Sequence, residues 1–259
     1  MTPSIDRDVR LVAFDLDDTL APSKSPLPPE MVELLSALTR QVEVAVISGG
    51  DFTQFRRQVV DRLAAGGEAR PDRLHLMPAC GTQYYRWMDG SWGAVYSELL
   101  PAEERELIMN TVRSTAVNLG LWEPAPWGDI LEDRGSQVTF SALGQQAPLD
   151  AKSQWDPARE KRERLRAALS AQLVDHEIRV GGSTSLDITR RGIDKAYGLR
   201  RLAELTGIAL DRMVFVGDQL QPGGNDYPAV ELGMTTFAVR SWSDTADLLR
   251  ATLALFTTR

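Results

Sequence analysis

Cysteine is all but missing from this sequence of 259 residues: the one thiol, Cys80, excludes an internal disulfide framework and fits a reducing compartment, where its expected role is structural. Histidine is nearly as scarce. The two, His75 and His176, lie far apart without metal-ligand spacing, so neither is assigned a role. Nowhere do about 18 apolar residues run together, which excludes a spanning helix by hydropathy. Met1 to Arg10 carries Asp and Arg rather than a basic patch, and Leu11 to Phe14 is too short for the apolar core of a signal peptide. Positive charge is in deficit as well: 29 Lys and Arg against 36 Asp and Glu give a formal charge of −7, which argues against non-specific attraction to nucleic acid or anionic lipid. The charged stretch Arg159 to Arg166 interleaves glutamates and reads as a solvated helix face rather than a nucleic-acid patch. A soluble cytoplasmic protein, long enough to bury a real core, is the expectation.

What is present alternates. Arg10 to Phe14 is a short apolar run ending in carboxylates, and Pro29 to Arg40 sets Met31, Leu34, Leu35 and Leu38 at helical spacing. Glu43 to Ile47 then runs into Ser48-Gly49-Gly50, after which Phe52, Phe55, Val59 and Leu63 recur at helical spacing. Repeated strand–helix units favour a parallel sheet with helices on both faces, whose site lies at the carboxyl ends of the strands. From about Gln83 the texture changes. Gln83 to Met88 and Trp92 to Tyr96 flank the turn signal Asp89-Gly90, Pro101 to Leu119 is amphipathic, Gln137 to Leu143 is strand-like, and Asp156 to Val174 reads as a helix with Asp156 at the N-cap and Pro157 at its first position. Glu177 to Val180 and Ser185 to Thr189 are again strand-like. The α/β pattern returns with a helix over Lys195 to Thr206, strands over Met213 to Val216 and Thr235 to Val239, and a last helix from about Ser243. The fold class expected is α/β: a Rossmann-like parallel-sheet core, residues 1–82 and 191–259, interrupted by an inserted α+β cap with an antiparallel sheet, residues 83–190. The six tryptophans fall mostly in the expected cap, where core packing is their simplest role.

Asp15 and Asp17 stand two apart at the end of an apolar strand, so their side chains start on one side. Two carboxylates so placed repel unless a cation joins them, and magnesium, which prefers hard oxygen ligands, is the natural one. Read alone, such a pair is more often a solvated strand end. The wider run Asp15-Leu16-Asp17-Asp18-Thr19 resembles the signature of the haloacid dehalogenase superfamily, an apolar strand followed by Asp-x-Asp-x-Thr. The resemblance implies that Asp15 is a nucleophile forming an aspartyl-phosphate, that Asp17 is the general acid and base, and that the Asp17 backbone carbonyl ligates magnesium. Three further motifs follow in order. Ser48, with Gly49 beside it, matches the second, which holds the transferring phosphoryl group; Lys195 in Gly192-Ile193-Asp194-Lys195 matches the third, a cation between nucleophile and phosphate. Gly217-Asp218 matches the fourth, making Asp218 a direct metal ligand with Asn225 and Asp226 near or in its shell.

An insert between the second and third motifs is the arrangement of the type-2 cap branch, which includes sugar phosphatases and eukaryotic-type phosphomannomutases. The segment Gly217-Asp-Gln-Leu-Gln-Pro-Gly-Gly-Asn-Asp226 is similar to the mutases' Gly-Asp-x-x-x-Pro-Gly-Gly-Asn-Asp, as are Gly49 to Phe52, Gly181-Gly182 with Ser185-x-Asp187, and Gly192 to Lys195. In the mutases, cap arginines bind the phosphate distant from the nucleophile. Here Arg134 matches one, Trp127 and Gln145 stand at two others, and Lys24 replaces a core arginine. The resemblance with these departures implies hydrolysis of a phosphosugar or similar small phosphate monoester, with Lys24, Arg134, Ser185 and Asp187 binding substrate; the alternative is a mutase interconverting hexose 1- and 6-phosphates. A non-catalytic module that kept the fold is a third reading, against which intact Asp15, Asp17, Lys195 and Asp218 weigh. A homodimer through the cap is compatible with this branch, and no nucleic-acid or membrane partner is expected.

Overall fold

A computed structural model describes residues 3–257, with side chains through 256. In chain order the elements are β1 (Leu11–Phe14), α1 (Pro29–Thr39), β2 (Glu43–Ile47), α2 (Phe52–Phe55), α3 (Asp61–Gly66), β3 (Leu74–Met77), β4 (Gln83–Met88) and β5 (Ser91–Ser97). They continue with α4 (Ala102–Asn118), β6 (Leu131–Asp133), β7 (Val138–Ser141), α5 (Leu149–Trp155), α6 (Glu160–Ser170), β8 (His176–Val180) and β9 (Ser185–Arg190). The chain finishes with α7 (Lys195–Thr206), β10 (Met213–Gly217), α8 (Tyr227–Glu231), β11 (Thr235–Ala238) and α9 (Trp242–Thr257). Between α2 and α3 the helix continues as a π-helical turn, Arg56–Val60. Among the described residues no helix is long and apolar enough to cross a membrane.

Two compact units divide the chain, one made of residues 1–97 and 194–259, the other of 98–193. The first carries a seven-stranded sheet in the order β11-β10-β1-β2-β3-β4-β5, parallel from β11 to β3 and closed by the antiparallel β4–β5 hairpin. Its central strands β1, β2 and β10 are almost continuously apolar because both faces are covered there. Val12, Phe14, Val44, Val46 and Val216 pack with α1, α3 and α9, while Leu11, Ala13, Ala45, Ile47 and Phe215 pack with Leu199 and Leu202 of α7. The chain leaves β1 toward β2 and later returns on its other side as β10, so β1 and β10 flank the point where strand order reverses.

The hairpin is where the sequence boundary fails. Residues 83–97 were expected in the insert, but β4 pairs with β3 and prolongs the core sheet. Its Asp89-Gly90 turn takes the left-handed backbone that the dipeptide favours, φ 50° and 80°. Local signals define a hairpin without naming the edge it joins. Trp87 and Trp92 therefore belong to the first unit, stacked edge to face at 5.8 Å.

In the second unit the antiparallel order is β6-β7-β9-β8. One face of that sheet sends Val138, Phe140, Ile178, Leu186 and Ile188 against Ile108, Val112, Leu165 and Leu169 of α4 and α6. The alternate positions are polar, as period-two patterning requires. The helix expected from Asp156 begins at Glu160 instead: Arg159 turns left-handed at φ 64°, and the Asp156 carboxylate reaches over that turn to accept from the Lys161 and Arg162 N–H groups at 3.0 Å each. Nor is that charged face wholly solvated. Arg162 is 5% exposed, paired with Asp156 at 2.9 Å, and donates to the carbonyls of Gly181 and Gly182.

A buried relay crosses the first unit's sheet. His75 Nε2–H donates to Glu43 at 3.0 Å and Nδ1 accepts from the Tyr84 hydroxyl at 2.7 Å, a tautomer assigned from the network. Burial holds the imidazole below its ordinary value and nearby Arg86 adds to this, outweighing the Glu43 hydrogen bond. A depressed His value means that the unfolded chain takes up a proton the native state refuses, so stability falls as pH drops below the usual imidazole range. Urea unfolding is expected to show a loss of about 1 kcal/mol between pH 7.5 and 5.5. His75→Gln should flatten that slope; an unchanged slope would assign the pH effect elsewhere.

Candidate active site

Backbone pairing explains why the acidic groups converge. Phe14 lies level with Val216 of β10 and Val46 of β2, so Asp15 emerges beside Gly217-Asp218 on one side and Ser48 on the other. Asp15 N–H donates to the Val216 carbonyl at 3.0 Å, fixing the strand end, and its side chain is 5% exposed. Lys195 comes from the first position of α7, whose N-cap is the Asp194 side chain accepting from Tyr197 N–H at 2.9 Å. Its ammonium, 1% exposed, donates to Asp15 Oδ1 at 2.6 Å and also to Asp226 Oδ1.

Asp226 is the fold's counterweight to that lysine. Its second oxygen accepts from Gln219 N–H at 2.9 Å, closing the loop after β10 upon itself. Gly217 makes this possible, since a Cβ there would lie 2.4 Å from Asp226 Oδ2. The carboxylates of Asp15, Asp218 and Asp226 lie within 4.8 Å of one another. Three carboxylates and one ammonium sum to −3 + 1 = −2, the charge that one divalent cation neutralises. The all-oxygen donor set fits a hard divalent metal. Both Asp226 oxygens are engaged, so Asp15 and Asp218 are the groups suited to hold it directly. Burial raises the proton affinity of the Asp15 carboxyl well above the usual range; Lys195 opposes this, while Asp226 and Asp218 reinforce it. Asp218 is raised by burial too. Lys195 goes the other way: burial would discharge it, but Asp15 and Asp226 outweigh that and hold the ammonium.

Asp17 stands outside the carboxylate cluster. Its side chain accepts from Lys24 N–H at 2.7 Å, from Gln58 Nε2 at 3.2 Å and from Gln54 Nε2 at 3.3 Å. That leaves its main-chain carbonyl as its candidate metal donor. Neither glutamine was foreseen from sequence; the signal available was a pair of amides four apart on a helix otherwise patterned for burial, directly after Ser48-Gly49-Gly50. Thr19 Oγ1 lies 3.5 Å from Asp15 Oδ2.

Ser48 is buried at the end of β2, its carbonyl accepting from Cys80 N–H at 3.0 Å, with Gly49 next along. Lys24 is exposed in the loop after the acidic run at φ 57°, and Asn225 is exposed in the loop after β10. The remaining expected residues lie in the second unit. Asp187 of β9 accepts from Thr139 of β7 at 2.7 Å, and Ser185 is level with Ser141. Arg134 pairs with Glu132 at 2.7 Å, and the Gln145 amide donates to the same carboxylate at 2.7 Å and to Ser141 Oγ at 3.0 Å. Trp127, at 46% exposure, is not a core residue.

The family model described as eukaryotic phosphomannomutase matches residues 31–255. A phosphomannomutase of Schizosaccharomyces pombe is 27% identical over 223 residues, covering 84% of this chain and 83% of that protein. Among solved structures, the IMP-nucleotidase of Plasmodium falciparum superposes with a TM-score of 0.71 at 14% identity, over 96% of this chain and 70% of that one. A haloacid dehalogenase-like hydrolase from Bacteroides thetaiotaomicron does so with a TM-score of 0.62 at 14% identity, over 94% and 99%.

The lysine's position generates a stability test. With metal chelated, Lys195→Met leaves ionised carboxylates buried without their counter-charge, at an expected cost of about 3–5 kcal/mol at pH 8. The cost should shrink toward pH 5, because an acid whose native proton affinity is raised loses stability as pH rises. Chemical denaturation at both pH values measures it, and equal losses would contradict the buried-charge account.

Proposed function

Since this chain belongs to the eukaryotic phosphomannomutase family within the haloacid dehalogenase superfamily, and is thereby an enzyme, we propose that it transfers a phosphoryl group from a small phosphate monoester through an aspartyl-phosphate on Asp15. The observation that carries this is the buried Asp15 carboxylate at the end of β1, oriented by Lys195 at 2.6 Å and flanked by Asp218. In the first step an Asp15 carboxylate oxygen attacks phosphorus, the ester P–O bond breaks, and Asp17 gives a proton to the departing alkoxide. In the second, water attacks the aspartyl-phosphate, Asp17 takes its proton, and the P–O bond to Asp15 breaks to release inorganic phosphate. Lys195 screens Asp15 from the incoming anion and stops the carboxylate from turning, while Ser48 and Gly49 hold the phosphoryl oxygens. Magnesium, held by Asp15, Asp218 and the Asp17 carbonyl, would supply charge neutralisation at those oxygens.

The substrate class we favour is a phosphosugar or a similar small ester, with water as the acceptor. Arg134 is already matched by Glu132, and neutral Gln145 shares that carboxylate, an arrangement poorly suited to clamping a second phosphate. The relatives' names favour the other acceptor, a sugar hydroxyl, which would make the enzyme a mutase of hexose 1- and 6-phosphates. Lys24, Ser185 and Asp187 are assigned to substrate on the resemblance alone, and a cytoplasmic setting rests on sequence composition.

A screen of glucose and mannose phosphates followed by phosphorus NMR reads both outcomes at once. Hydrolysis yields inorganic phosphate; mutase action yields the isomeric hexose phosphate, stimulated by a bisphosphate. Either activity should vanish with EDTA and fall by about 10³-fold or more in Asp15→Asn. Turnover that survives Asp15→Asn would refute the covalent route.

A further inference from the structure

We propose that Gln58, with Gln54 beside it, is a positioning residue that holds the Asp17 carboxyl group for proton transfer, an inference that rests on the acid and base role proposed above for Asp17. Asp17 sits in a tight loop and is only half buried, so packing alone does not settle its side chain. Three donors do: the Lys24 N–H and Gln58 Nε2 on Oδ1, and Gln54 Nε2 on Oδ2. Bonds to both oxygens fix the plane of the carboxyl group as well as its position, which is what a directed proton transfer needs.

Gln58 is the hub of that arrangement. Its Nε2 also donates to the Ser25 carbonyl at 2.7 Å, and its own backbone carbonyl accepts from Leu27 N–H at 2.9 Å. One residue thus orients Asp17 and ties down the loop whose Lys24 N–H supplies the other donor to Oδ1. The residue is 2% exposed, and its Oε1 is buried with no hydrogen-bond partner among the described residues. An orphaned buried carbonyl costs free energy that a Leu or Met at the same place would avoid. Packing is therefore a poor reason for an amide here; the two Nε2 bonds are a sufficient one.

The surrounding chain is shaped to deliver both amides. Asp51 caps α2 through Gln54 N–H at 2.7 Å, and Gly50 leaves the room that Gln54 occupies, since a Cβ there would fall 2.7 Å from its Oε1. Gln58 lies within the π-helical turn Arg56–Val60, a distortion that natural helices keep mainly where a side chain must be re-aimed.

Leaving-group dependence separates positioning from packing. An alkoxide departing from a hexose phosphate needs a proton from Asp17, whereas nitrophenolate departing from p-nitrophenyl phosphate does not. Rapid-quench measurement of leaving-group release in the first turnover, with magnesium present, compares the hexose phosphate turned over fastest in the screen above with p-nitrophenyl phosphate. Gln58→Leu should slow release from the hexose phosphate by about tenfold or more and from p-nitrophenyl phosphate by less than about threefold. Gln54→Leu, at a half-buried position, should show the same asymmetry more weakly. Equal slowing of the two substrates by both variants, or no slowing by either, overturns the inference. Asp17→Asn must show the asymmetry most strongly; if it slows both substrates alike, the role of Asp17 itself is wrong and the inference falls with it.

Discussion

One buried ammonium ties together three distant stretches of the first unit. Lys195 bridges Asp15 and Asp226, groups that lie 180 and 31 residues from it along the chain. The contact forms only when β1 and β10 are paired in register, α7 is docked on the sheet, and the loop after β10 has closed through Gln219. Burying such a triad is costly in desolvation, and an apolar substitute of equal volume would often be more stable. Its retention is better explained by chemistry than by stability.

The same triad makes the site suited to a cation. Lys195 satisfies one oxygen of Asp15 and one of Asp226, yet Asp218 adds a further negative charge at the same strand ends. A divalent metal would bring that balance to zero, so a phosphoryl dianion would meet a neutralised cluster instead of one carrying two negative charges. The position is the one at which open parallel sheets bind ligands, because the loops after β1 and β10 diverge there.

Legibility in the sequence followed distance along the chain. The apolar strands, the helices over Pro29 to Thr39 and Lys195 to Thr206, and the four motifs could be read because each signal is contained within a few residues. The hairpin 83–97 was read correctly as a hairpin and assigned to the wrong unit, because edge pairing with β3 is decided by the sheet and not by the turn. Asp156 signalled a helix start, but the left-handed Arg159 set the first turn three residues later than a simple N-cap predicts. Gln54 and Gln58 escaped notice because glutamine carries no charge or periodicity that marks it out; their role is visible only once the Asp17 loop is folded against them. Short strands such as Leu131–Asp133 likewise exist through pairing with β7 and not through propensity.

The π-helical turn between α2 and α3 has a consequence for how this chain can change over time. A π-helical turn amounts to one residue more than a regular helix would need over the same path. Removing a single residue from Arg56–Val60 would let the helix close to the commoner α-form with its two flanks facing as they do now, at the expense of the side chains presented within the wide turn. The amide at 58 lies inside that turn and would lose the place from which it reaches Asp17. The segment is consequently constrained in length more tightly than in composition. Substitutions at its exposed arginines should drift freely across related proteins, while insertions and deletions should be rare there.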